Sequence, residues 1–276
     1  MRKLYIDNIR WITVVLVVLY HVIYMFNGIE TFGVIGPFSD VQYQDAFQYI
    51  VYPWFMLLLF AVSGMSARYE LVRRSEKEFI KKRTGKLLVP STLGLLVFWW
   101  ILGYYNLLIS GGLEEMAAVP KPVLFIIMAV SGIGPLWYIQ MLWIFSVLLI
   151  WVRRVEKDRL WKLGEKANVP FLVLFAIVIW GAAQILNTPM IVVYRFGIYG
   201  VGFFVGYFIF SQDEVMERLE KCWLPLTVCA VILAVVFTVM YWGRPYAEHS
   251  VLDTPLCSLF AWIATIAILA FMKKWG

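Results

Sequence analysis

Charge is what this sequence has least of. Of 276 residues only 15% are charged, against about a quarter in an ordinary soluble domain, while 62% are hydrophobic and 17% aromatic. A soluble fold has no interior large enough to hide that much apolar surface. Cysteine is scarce too: Cys222, Cys229 and Cys257 fall in or beside apolar segments, with no CxxC pair. That excludes a disulfide framework and a cysteine metal motif, and leaves buried thiols in apolar helices. The chain also lacks low-complexity tracts, internal repeats and any polar stretch long enough for a separate soluble domain.

What is present is a series of apolar blocks. A helix rises about 1.5 Å per residue and needs roughly 20 residues to cross the hydrocarbon layer. Eight such blocks are predicted: Trp11–Phe26, Ile50–Ala67, Leu87–Tyr105, Leu136–Val152, Phe171–Leu186, Met190–Phe210, Leu224–Trp242 and Pro255–Met272. A ninth, Val123–Val130, is too short to cross and stops at Ser131-Gly132-Ile133-Gly134-Pro135, which predicts a re-entrant or interfacial helix. The fold class expected is therefore all-α, a polytopic bundle of about eight spans forming one domain over residues 1–276.

Orientation follows from the basic residues, which are retained in the cytoplasm. Segments 1–10, 68–86, 153–168, 211–222 and 273–274 hold 21 of the 24 Lys and Arg residues. The alternate segments hold Lys121 and Arg244, and Arg195 lies inside the sixth predicted span. Both termini are thus expected in the cytoplasm of a cell-membrane protein. The net charge of +6 reflects this topology and gives no footprint for nucleic acid. The first block carries Arg10, His21 and Tyr24 and has no small-residue cleavage site, so it reads as a retained span rather than a signal peptide.

His21 is one of two histidines and stands in an apolar span, where an ionisable group is costly and usually faces a cavity or a partner. Eleven residues separate it from Arg10. At 100° per residue that is about three turns, which puts both on one face roughly 16 Å apart, one at the cytoplasmic mouth and one deep in the membrane. A structural histidine, hydrogen-bonded to a neighbouring helix, fits the same spacing.

An Arg followed eleven positions later by His, preceded by Tyr5-Ile6-Asp7-Asn8-Ile9, resembles the signature of the acyltransferase family 3 membrane proteins. Three further segments resemble that family's pattern in order: Phe60-Ala61-Val62-Ser63-Gly64, Lys81-Lys82-Arg83-Thr84-Gly85-Lys86-Leu87-Leu88-Val89-Pro90, and Pro135-Leu136-Trp137-Tyr138-Ile139. Two departures accompany the likeness. The family's Arg-x-x-Arg unit reads Arg83-Thr84-Gly85-Lys86 here, which keeps the charge but loses one planar fork. The family also has about ten spans, so a chain of eight is expected to be a shortened form.

The resemblance implies transfer of an acyl group, commonly acetyl, from cytosolic acyl-coenzyme A to a hydroxyl of a carbohydrate or similar acceptor. Acyl-coenzyme A would be a co-substrate, with no permanently bound cofactor and no metal; the other partners would be the bilayer and the acceptor. On this reading His21 and Arg10 are the catalytic pair, and neutral imidazole takes the acceptor's proton, kept neutral by burial. Arg83 and Lys86 would meet the phosphates, or, with the other cations of 68–86, fix topology and bind anionic lipid. Trp137 and Tyr138 would line the acyl path or belong to an interfacial aromatic belt. Ser63 would touch the acceptor or serve helix packing. Arg195 would hold an anionic part of the acceptor or, lying just beyond Asn187-Thr188-Pro189, snorkel to the headgroups. His249, with Glu248 and Asp253, would bind a sugar or a metal, or be solvated. The competing function is a transporter or channel with Arg10, His21 and Arg195 along a polar pathway, against which stands the lack of an inverted repeat; a third is a catalytically silent assembly subunit.

Overall fold

The computed structural model describes residues 3–29, 41–109, 111–187 and 194–276. They form α1 (Leu4–Tyr24), α2 (Tyr43–Leu71), α3 (Glu76–Ile109), α4 (Lys121–Ser131), α5 (Leu136–Glu156), α6 (Arg159–Glu165), α7 (Val169–Ala183), α8 (Phe196–Phe210), α9 (Asp213–Lys221), α10 (Trp223–Tyr241) and α11 (Pro255–Trp275). No strand occurs among the described residues, only an isolated bridge between Asn187 and Arg195. The chain divides into two compact units, Arg73–Val152 on one hand and Met1–Val72 with Arg153–Gly276 on the other.

Among the described residues six helices, α1, α2, α3, α5, α10 and α11, are long and apolar enough to cross a membrane, and a seventh joins them if the bent pair α6–α7 is one span. This is a polytopic membrane bundle, and two of the eight expected spans are shorter helices. The expected fifth span, Phe171–Leu186, is helical only over Val169–Ala183, and α6 meets it at 117°. The break is local chemistry: the Asn168 side chain caps α7 by accepting the N–H of Phe171 at 2.9 Å, and Pro170 follows at the first turn. The expected sixth span, Met190–Phe210, is helical from Phe196; residues 190–193 lie outside the described residues. At 15 residues, or about 22 Å, each falls short of a full crossing.

Other boundaries moved outward. Asp7 and Arg10, read as part of a loop, lie inside α1 as an i,i+3 ion pair at 3.7 Å. Serine and threonine caps set two starts. Ser75 and Glu78 exchange hydrogen bonds in a capping box at the head of α3, and Thr254 accepts the Cys257 N–H ahead of Pro255 in α11.

In the larger unit α2 is the central helix: 83% of its apolar window is buried, against 22% for α1 and 11% for α10. The apolar faces of α1 and α10 are therefore left to lipid. Small residues set the contact between α2 and α8. A Cβ on Gly64 would stand 1.9 Å from the Phe203 carbonyl oxygen, and one on Gly206 would stand 1.9 Å from that of Ala61. At Gly64 and Gly206 the two helices thus cross backbone to backbone, and Gly202, one turn earlier, lies against the Leu57 side chain. The basic segments of this unit gather at one end. Lys3 pairs with Asp213, Asn8 donates to the Gly276 carbonyl, and Arg218 donates to the carbonyls of Glu165 and Ala167 at 2.7 and 2.9 Å.

In the unit Arg73–Val152, α4 lies against α3 through another close crossing, where a Cβ on Gly103 would fall 1.6 Å from the Met128 carbonyl oxygen. The stretch expected to be too short to cross is this 11-residue helix. Helix α3 holds two π turns, Thr84–Leu88 and Leu95–Trp99. The first has an evident cause: Pro90 has no N–H, so the Lys86 carbonyl loses its α-helical donor and the ladder shifts.

Candidate active site

His21 sits in the last turn of α1, about 26 Å along the helix from Leu4. It stands near the end of α1 remote from the N-terminus. Its side chain is exposed rather than buried by protein. Nδ1 lies 2.6 Å from the Val17 carbonyl oxygen one turn back. A carbonyl only accepts, so Nδ1 carries the hydrogen, and in the neutral ring Nε2 is then the nitrogen with the lone pair.

Behind His21 the adjacent Tyr20, 5% exposed, is the hub of an aromatic cluster. Its ring centroid lies 5.2 Å from His21, 5.3 Å from Phe55, 5.5 Å from Tyr52 and 5.8 Å from Tyr24. Its hydroxyl lies 3.4 Å from that of Tyr246, in the connection between α10 and α11. These contacts fix the end of α1 against α2 and that connection, so the imidazole is carried on a rigid platform.

Arg10 is occupied elsewhere. Its guanidinium donates to the Ser66 hydroxyl of α2 and pairs with Asp7. Ser63, three residues earlier on α2, is buried beside the Gly64 crossing, which suits its packing role. Arg195 does not snorkel, and it precedes α8 rather than lying within a span. Its side chain is 5% exposed, and one Nη donates to Asp253 Oδ1 and to the Leu252 carbonyl, both at 3.1 Å. The Thr188 and Pro189 of the expected turn lie outside the described residues. Asp253 also accepts from His249 Nδ1 at 3.1 Å, while Trp180 and Gln184 hold its backbone carbonyl. Of Glu248, His249 and Asp253, the last two thus form a hydrogen-bonded chain that ends on Arg195. No group of three metal-ligating side chains occurs among the described residues.

The remaining candidates belong to the unit Arg73–Val152. Arg83 is half-buried, its guanidinium 4.8 Å over the Phe79 ring and 3.4 Å from the Ser146 hydroxyl, whereas Lys86 is exposed. The wider turn at Thr84–Leu88 separates the two, and Trp143 pins it by donating to Thr84 Oγ1 at 3.0 Å. Trp137 is buried, which takes it out of an interfacial belt, and Tyr138 is half-buried beside it at 6.3 Å.

The Arg10–His21 pair, the Ser63–Gly64 crossing, the basic turn of α3 and the Trp137–Tyr138 pair are the features that characterise a known group of membrane enzymes. The family model described as an acyltransferase domain, that of acyltransferase family 3, matches residues 3–276. The chain belongs to acyltransferase family 3. No curated protein and no solved structure matches it. It is a multi-pass membrane acyltransferase, and the geometry can be judged for that chemistry.

Sequence reasoning passed over two residues of this acyltransferase, Asp45 and Gln48, at the head of α2. Both are fully buried, and Asp45 Oδ1 and both amide atoms of Gln48 have no hydrogen-bond partner among the described residues. Each such atom costs about 1–3 kcal/mol. The available signal was two polar residues one turn apart at the lip of an apolar helix.

Proposed function

We propose that this acyltransferase moves an acyl group, acetyl in the simplest case, from acyl-coenzyme A to a hydroxyl of a carbohydrate or similar acceptor. The basic segments and both termini face the cytoplasm of a cell membrane. The observation that carries this reading is the setting of His21: Nδ1 lies against the Val17 carbonyl, and the exposed side chain stands at the end of α1 remote from the N-terminus.

In the proposed step Nε2 takes the acceptor's hydroxyl proton as the oxygen attacks the thioester carbonyl. The tetrahedral intermediate collapses, the carbon–sulfur bond breaks, and the imidazolium returns the proton to the coenzyme A thiolate. Arg10, held by Ser66 and Asp7 about 16 Å from His21, positions α1 rather than touching the reacting atoms. Of the basic pair, exposed Lys86 is the phosphate contact, and Arg83, turned toward Ser146 and Phe79, shapes the helical turn that carries it. Trp137 and Tyr138 line the donor's acyl or pantetheine path.

The test is radiolabelled acetyl transfer in membranes by the His21→Gln variant. Gln keeps size and hydrogen bonding but cannot accept a proton near neutral pH. Loss of transfer at equal expression supports the mechanism, and near-normal transfer would make His21 a packing residue.

A further inference from the structure

The strongest unassigned feature of the molecule is the pair Asp45 and Gln48. Asp45 Oδ2 accepts the backbone N–H of Gln42 at 2.9 Å and of Gly28 at 3.4 Å, tying the chain just after α1 to the head of α2. Its Oδ1, one helical turn from Gln48, is unpartnered among the described residues, as are Oε1 and Nε2 of Gln48. A fully buried amide with neither end satisfied is rare in a finished fold, because an apolar side chain of the same shape would pack there without loss.

The chemistry of the three atoms narrows the occupant. An anion would face the Asp45 carboxyl group, a metal cation would be repelled by the amide N–H of Gln48, and an apolar group would leave all three unmet. Hydroxyl groups, which both donate and accept, satisfy every one: two donate to Asp45 Oδ1 and Gln48 Oε1, and one of them accepts from Gln48 Nε2. The place is equally specific. Tyr49 and Tyr52, next along α2, belong to the aromatic cluster: Tyr52 lies 5.5 Å from Tyr20, and Tyr49 and Tyr52 lie 5.3 and 5.2 Å from Tyr246. The unmet atoms thus sit at the same end of the bundle as His21, beyond the last turn of α1.

We propose that Asp45 and Gln48 form a subsite that binds two hydroxyls of the acceptor, neighbours of the hydroxyl that is acylated. This rests on the acyl-transfer reading above, and it adds that the acceptor is a polyol, held through at least two hydroxyls besides the reacting one.

The experiment compares the wild-type protein with Gln48→Leu in detergent, with Gln48→Met as the second variant should Leu fail to insert. The probes are methyl glucoside, galactoside and mannoside, and the per-O-methylated form of each, which cannot donate a hydrogen bond. In the absence of sugar the variants should be at least as heat-stable as wild type. At least one free glycoside should protect wild type against unfolding, the methylated forms should not, and the variants should gain nothing. With acetyl-coenzyme A as donor, the variants' KM for the protecting glycoside should rise about tenfold, which is ~1.4 kcal/mol, with KM for acetyl-coenzyme A unchanged. Equal protection of wild type and variants, or of none, means that ordered water alone meets Asp45 and Gln48, and overturns the subsite. Protection by the methylated sugars overturns it too. If the glycoside protects wild type alone while no acetyl is transferred, the subsite stands and the acyl-transfer reading falls. If transfer proceeds with the acceptor KM unmoved in the variants, the reverse holds.

Discussion

The two ends of the unit built from Met1–Val72 and Arg153–Gly276 are made on different plans. At the N-terminal end four cations are engaged by the fold's own groups: Lys3 on Asp213, Arg10 on Ser66, Arg68 stacked 3.7 Å over Trp161, and Arg218 on two backbone carbonyls. The opposite end has both histidines, a ring of tyrosines and one buried ion pair, and among the described residues it keeps hydrogen-bonding capacity in hand at Asp45 and Gln48. The first plan makes a firm surface. The second leaves atoms free to act on a ligand, and chemistry belongs where such atoms are.

The largest effect expected from breaking this contrast comes from exchanging the two histidines' roles. His21→Gln should lower acetyl transfer by about 10²–10⁴-fold, whereas His249→Gln, which touches only the Asp253 link, should leave the rate within a few-fold of wild type. Comparable losses in both would mean that the chain Arg195–Asp253–His249 takes part in the reaction. Next in size is Asp253→Asn, which strands a guanidinium that is 5% exposed. Because Asp253 is itself about a quarter exposed, the cost should be roughly 2 kcal/mol, below that of a fully buried pair. Unfolding in detergent would register it, and Arg195→Met with Asp253→Leu should recover part of the loss.

At the basic end the effects should be smaller and confined to stability. Arg68→Met removes the stack on Trp161 and the 3.2 Å hydrogen bond to Tyr207, at about 1 kcal/mol, without changing His21-dependent transfer at saturating substrates. Lys3→Met should cost least, about 0.5 kcal/mol, since Asp213 is more than half exposed. Burial by itself would lower the Lys3 pKa, but Asp213 and Tyr69 outweigh it and hold the ammonium above its ordinary 10.5. A raised cationic pKa stabilises fully at lower pH. The Lys3 contribution should therefore be constant at neutral pH and fade only as pH rises above 10.5, and the Met variant should show no such fading.

Much of this contrast was readable beforehand. Six of the eight apolar blocks are helices of spanning length, because about 20 residues without charge leave the chain few alternatives in lipid. The Arg10–His21 spacing placed both on α1. What was lost was lost at the ends. Counting charge-free windows started α1 at Trp11 and α2 at Ile50, which set aside Asp7, Asp45 and Gln48, polar residues whose partners or absence of partners only a folded chain reveals. Arg195 was misread for a related reason: its counter-ion is 58 residues away, and no local pattern announces it. His21 was located by spacing, but its tautomer depends on how the ring turns toward Val17, and rotamers are not written in spacing.

The π turn at Thr84–Leu88 has a consequence for how the length of this chain can vary. A π turn is one residue more than an α-helix needs over the same rise, so it amounts to an insertion held in place by Pro90. Gly85 is the residue the fold would miss least, since a side chain there would meet nothing within 4 Å. Removing it would let the helix close to regular α geometry with the flanking segments near their present phase, whereas removing a residue from a regular turn of α3 beside it would rotate the preceding segment by about 100°. In that second case Arg83, carrying Phe79 with it, would swing off Ser146, and the basic face would point elsewhere without one charge being lost. In this stretch the phase of the helix, and not the tally of cations, is the quantity the sequence has to preserve.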